Sequence, residues 1–147
     1  MPIVFYSKTP EYAWLSNFSR HGFELDGARW RSVEHYYQAQ KYAGTEMEER
    51  IRNAPNAPAA RDLGQNRSLT VRPDWPEAKE AVMRRALEAK FTQHRRLREQ
   101  LLTTGEEPLL HHSSSDSYWG CGKEGDGQNR LGVILMEIRQ ALRSLKP

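Results

Sequence analysis

A single cysteine, Cys121, leaves this 147-residue chain without an internal disulfide, and that points to a reducing, cytosolic compartment. Long apolar runs are also missing. No stretch approaches the ~18 residues of a membrane span, so no membrane partner is expected. The opening "MPIVFYSKTPEY" lacks a charged head followed by a long apolar stretch, and no secretory signal is expected from it. Apolar residues are scarce at 37%, yet they and the four tryptophans are spread along the whole chain, which argues against disorder. Neither sign of charge dominates. The net charge of +3 and the arginines at 84–85 and 95–98 tolerate phosphate or nucleic acid without demanding them, and solvated helix faces explain most of them. The length fits one domain, 1–147, with a real core.

What is present reads first as strand and then as helix. "IVFYS" (3–7) is β-prone, and "GFELDGARW" (22–30) carries Asp26-Gly27, a dipeptide of tight hairpins. Ser32 caps a helix that stops by Gly44, and "TEME" (45–48) is a capping box for a second. A short helix over 58–63 lies between Pro58 and Gly64. "DWPE" (74–77) opens a long helix in which Ala78, Val82, Met83, Ala86, Leu87 and Phe91 recur at three-to-four spacing. Another helix over 94–103 ends at Gly105, and 106–129 is the longest irregular stretch. A final helix aligns Ile134, Leu135, Ile138, Leu142 and Leu145 in one apolar stripe. The expected fold class is mainly α (α+β), with a small N-terminal β element.

The chemistry concentrates in "SVEHYYQAQKY" (32–42). At about 100° per residue, with Glu34 at zero, Gln38 falls near ~40° and Lys41 near ~340°. Tyr36, Ala39, Tyr42 and Ala43 form the packing arc. A Glu/Lys stripe is usually solvent decoration. Here, however, tyrosines and glutamines replace the usual solubilising mixture, and a short neutral helix suits insertion into a domain. His35 points away from the stripe and reads as a hydrogen-bonded structural group.

The glycines of "DSYWGCGKEGDGQNRLG" have the spacing of a dinucleotide fingerprint but lack its preceding strand and following helix, so that match fails. Glycines still let backbone amides approach a phosphate or sugar. Asp116 near Trp119 pairs a carboxylate with a flat ring, suited equally to holding a ribose or to building a packed turn. Adjacent His111 and His112 with one cysteine do not make a metal framework, and no partner identifies Cys121 as a nucleophile.

Four stretches in order, "WLSNF" (14–18), "SVEHYYQAQKY" (32–42), "AVMRRALEAKF" (81–91) and "DSYWGCGKEGDGQNRLGVILMEIR" (116–139), resemble the NADAR family, the YbiA-like N-glycosidases. The resemblance covers nearly the whole chain. It departs at Tyr42, where phenylalanine often follows the motif lysine, and in the 123–128 loop. It implies a compact single-domain helical fold and hydrolysis of a ribosyl C–N bond, without cofactor or metal. The implied substrate is a small ribosyl phosphate, a phosphoribosylamino-pyrimidine intermediate of riboflavin synthesis. The alternatives are ADP-ribose on guanine in ADP-ribosylated DNA, and a non-catalytic ADP-ribose or NAD reader. Lys41 is implied as a nucleophile forming an imine and Glu34 as a proton shuttle, while Asp116 is expected at the ribose hydroxyls or the attacking water. Asn17, Phe18, Arg20, Gln38, Trp119, Gly120, Gly122 and Asn129 are the expected substrate contacts, with Arg20 toward a phosphate. One tension is built in. A lysine nucleophile must be neutral, yet a nearby carboxylate raises its pKa, so burial must outweigh Glu34, or Glu34 must be protonated when Lys41 acts.

Overall fold

The computed structural model describes residues 1–145, mainly α-helix with four three-residue strands. The described residues form two compact units, Asn17–Gln93 and Met1–Ser16 with the residues from His94 on. Among the described residues no helix is long and apolar enough to cross a membrane.

In the first of these, β2 (Phe23–Leu25) and β3 (Ala28–Trp30) form the expected antiparallel hairpin. Asp26 (φ 54°) and Gly27 (φ 75°) take the left-handed turn that matches strand twist. α1 (Val33–Gln40) follows. Ser32 Oγ accepts from His35 N at 3.2 Å, as an N-cap should. α2 (Glu46–Arg52), α3 (Ala57–Gly64) and α4 (Trp75–Gln93) pack around α1. Thr45 caps α2, but Glu48 reaches one residue further back than a capping box requires, accepting from Gly44 N at 2.9 Å. The Asp74 carboxylate is engaged by Arg72 at 2.6 and 2.7 Å. The hairpin is tied to the end of α4, where Gln93 exchanges bonds of 2.8 and 2.7 Å with the Glu24 backbone. Trp30 and Tyr36 meet edge to face at 5.0 Å in the core. Because α1 ends at Gln40, Ala43 leaves the expected packing arc and is exposed.

In the other unit, β1 (Ile3–Phe5) pairs in parallel with β4 (Leu109–His111), and a 3-10 turn spans Ala13–Leu15. β4 lies inside the stretch read from the sequence as irregular, so the β content is two separate two-stranded sheets rather than one N-terminal element. Three residues are too few for a periodicity to register, and the partner strand is more than a hundred positions away. α5 (Arg95–Thr103) packs on α6 (Arg130–Leu145), and α6 packs on β4. Gly132 permits that approach, since a Cβ there would collide with Leu109 O of β4. Ile134, Leu135, Ile138 and Leu142 are buried as the stripe requires. Leu145 is 80% exposed, at the last described position of the helix, and does not belong to the core.

Candidate functional site

α1 is buried along its entire length, polar side included. Tyr36 and Ala39 fill the core, and Tyr37 packs on Trp75 with ring centroids 5.1 Å apart. His35 is fixed at both nitrogens, Nδ1 2.7 Å from Ser32 Oγ and Nε2 3.0 Å from Ala54 O. Burial holds its pKa below the ordinary value. That is a structural histidine, as the stripe geometry suggested.

Glu34 is only 8% exposed. It lies in the first turn, where the helix dipole favours an anion, and its N–H donates to Asn17 O at 3.2 Å. Its Oε2 accepts from Gln38 Nε2 at 2.8 Å, an i, i+4 contact within the stripe that the helical wheel places on one face. Gln38 packs on α3 at Gly64, where a Cβ would stand 2.6 Å from Gln38 Cβ. Lys41 follows the last helical residue. Its carbonyl accepts from Arg72 N at 2.9 Å, and its Nζ lies 5.7 Å from the Tyr37 ring centroid. Burial pushes the Lys41 pKa below the ordinary lysine value, while the charge of Glu34 pulls the other way without cancelling the effect. The buried acceptors Gln38 Oε1 and Asn17 Oδ1 have no hydrogen-bond partner among the described residues. Such acceptors suit a ligand that brings its own hydroxyl donors.

Phe18 lies under the Arg61 guanidinium, 5.3 Å from the ring centroid. Phe18 and Arg20 line a cleft of about 700 Å³ that also takes in His35 and the start of α3.

The other expected residues belong to the loop between β4 and α6. Asp116 Oδ1 accepts from Tyr118 N at 2.9 Å and Trp119 N at 2.8 Å, so one oxygen is committed to shaping its own loop. Trp119 is buried, edge-on to Tyr118 at 4.9 Å. Gly120 leaves no room for a side chain, since a Cβ there would lie 2.8 Å from Ser113 Cβ, and Gly122 has φ 73°. The Asn129 amide is occupied at both ends by β4, accepting from His111 N and donating to Leu109 O, each at 2.9 Å. It therefore stands as a post for the strand.

Lys90 was not singled out from the sequence. It is 0% exposed, and burial lowers its pKa to about 7. The signal was available: position 90 is three or four residues from Ala86 and Leu87, on the apolar face of α4. Gly64, Arg29 and Arg31 were also missed, because their roles depend on contacts across the fold.

The NADAR domain model matches residues 4–143. N-glycosidase YbiA of Shigella flexneri serotype 5b is 45% identical over 140 residues, covering 95% of this chain and 88% of that protein. A riboflavin biosynthesis protein of Vibrio vulnificus is 38% identical over 99% of this chain, which spans 40% of that longer protein. The NMR structure of E. coli YbiA superposes with a TM-score of 0.90 at 42% identity, covering 100% of this chain and 89% of that one. Motif order, helical architecture and these matches agree: the chain belongs to the NADAR domain family.

Proposed function

We propose that the protein is an N-glycosidase that hydrolyses a ribosyl C–N bond, with Lys41 and Glu34 as its catalytic residues. The observation that carries this reading is the Lys41 amine, half-buried and held below the ordinary lysine pKa despite Glu34 nearby. A buried lysine of lowered pKa is a competent nucleophile, and structural upkeep alone gives no reason for one beside an acid.

In the proposed sequence the neutral Nζ attacks the anomeric carbon, and the base leaves with the bonding electrons and takes a proton. Nζ then loses a proton while the ring oxygen gains one, opening the sugar to an imine with Lys41. Water adds to the same carbon, Lys41 departs, and the free sugar is released. Glu34 carries protons between Nζ, the ring oxygen and water. Gln38 holds the Glu34 carboxylate through its Nε2 and offers Oε1 to a sugar hydroxyl.

For the substrate we favour a phosphoribosylamino-pyrimidine over ADP-ribosyl guanine. Support comes from relatives named as N-glycosidases and riboflavin biosynthesis proteins. The test is product analysis with both substrates for wild type, Lys41→Ala and Glu34→Ala. Release of free pyrimidine and ribose 5-phosphate by wild type, with each variant slowed about 10²–10⁴-fold, is expected. Wild-type rates in both variants would sink the mechanism, and turnover of ADP-ribosyl guanine alone would move the substrate. Asp116→Asn keeps the loop's acceptor oxygen and tests separately whether its charge is needed.

A further inference from the structure

The 700 Å³ cleft in Asn17–Gln93 has a one-sided charge. Arg20, Arg29 and Arg31 all line it, and no lining residue is a carboxylate. None of the three is ion-paired among the described residues. Three guanidinium groups sharing one concavity repel each other and raise the local concentration of anions. Two of them are positioned by the fold. Trp30 turns into the core between Arg29 and Arg31, which leaves both at the cleft. Arg31 Nη1 donates to Ala54 O at 2.6 Å, the carbonyl that also meets His35. Gly22 makes room for Arg29, since a Cβ there would lie 2.8 Å from Trp30 O and 3.1 Å from Arg29 Nη2. The first turn of α3 also borders the cleft, adding the positive end of a helix whose cap, Asn56, already serves Ala59 N at 2.9 Å.

The same helix connects this basic pocket with the carboxylate and amide on α1. Ala57 and Pro58 are in the cleft, Arg61 covers Phe18 one turn later, and Gly64 meets Gln38 after another turn. That face of α3 is roughly 10 Å long at 1.5 Å per residue. On α1, His35 lines the cleft, and Gln38 stands one turn further on, bonded to Glu34.

We infer that this cleft is the phosphate subsite of the ribosyl substrate, in which Arg20, Arg29 and Arg31 hold the phosphomonoester while the sugar extends along α3 toward Gln38 and Glu34. This rests on the N-glycosidase reading above. A phosphomonoester near neutral pH carries close to two negative charges, and guanidinium forks bind its oxygens in pairs.

Calorimetric binding of ribose 5-phosphate, together with steady-state kinetics, tests the subsite. Wild type and Lys41→Ala should bind ribose 5-phosphate saturably. Arg29→Gln combined with Arg31→Gln should weaken binding by about ten- to a hundredfold. The same pair should raise KM for the phosphoribosyl substrate comparably with little change in kcat, and leave kcat/KM for its dephosphorylated counterpart as in wild type. Arg29→Gln alone, which breaks no hydrogen bond to the fold, serves if the pair fails to fold. Unchanged KM and unchanged ribose 5-phosphate binding in the variants would overturn the subsite, as would an equal loss with the dephosphorylated substrate. Arginine-dependent binding without any glycosidase turnover would keep the phosphate site and remove the reaction. Turnover indifferent to the arginines would do the reverse.

Discussion

Lys41 is where two opposing electrostatic effects meet. Loss of solvent disfavours its charged form, and the Glu34 carboxylate favours it; the first prevails. Removing the Glu34 charge leaves burial unopposed, so Glu34→Gln should lower the Lys41 pKa further. Lys41 reacts only when neutral, so its modification rate rises with pH through that pKa. The rise should therefore come at lower pH in Glu34→Gln than in wild type. Mass-spectrometric rates of Lys41 reductive methylation across pH measure this directly. A midpoint unchanged or moved upward would contradict the balance described. At this scale much was legible in the sequence: an α-helix advancing ~100° per residue places Glu34, Gln38 and Lys41 on one face without coordinates. Their burial was only hinted at, by tyrosines and glutamines in place of a solubilising mixture, because it depends on α2, α3 and α4 closing over a helix whose own residues are mostly polar.

The elements show where local rules lose to packing. Gly64 ends α3 with an ordinary helical environment, and propensity alone says alanine should gain up to ~1 kcal/mol. A Cβ would nevertheless sit 2.6 Å from Gln38 Cβ and 2.8 Å from its Cδ, close to the root of a side chain confined within the core. Overpacking of that kind costs about 1–3 kcal/mol and prevails over propensity. Gly64→Ala is thus expected to unfold at lower urea, by about 1–2 kcal/mol, and to lose activity as Gln38 is displaced from Glu34. An unfolding midpoint at or above wild type would refute that packing argument. The hairpin, the caps at Ser32 and Thr45 and the six α-helices of the described residues could be read from local chemistry. β4 could not, since a three-residue parallel strand exists only through its distant partner β1 and the Asn129 amide that bonds its backbone. Asn129, expected as a substrate contact, also bonds the β4 backbone through both ends of its amide.

For the whole molecule, the buried cation of α4 links stability to pH. Lys90 has a pKa of about 7 in the fold, against an ordinary value of 10.5. Between those values the unfolded chain binds more protons, so stability rises with pH from about 7 toward 10.5. Lys90→Met keeps the length and removes the titration. It should be the more stable protein at pH 7, by a margin that shrinks by about 2 kcal/mol on going to pH 9. Urea unfolding of both proteins at the two pH values measures the margin, and a constant or growing one would contradict the assignment. The family was legible through the order of four motifs along nearly the whole chain, and the NADAR match over 4–143 agrees with it. The arginine cleft was not, because its members are separated in sequence and only the fold places Arg20, Arg29, Arg31 and the start of α3 around one space. Everything proposed for the reaction turns on the attack of Lys41 on the sugar. Its most direct measurement is borohydride treatment during turnover of the phosphoribosylamino-pyrimidine, followed by intact-protein and peptide mass spectrometry. The expected result is a reduced ribose 5-phosphate adduct on Lys41, absent in Lys41→Ala. Steady turnover with no adduct on Lys41, or an adduct that persists in Lys41→Ala, would contradict it.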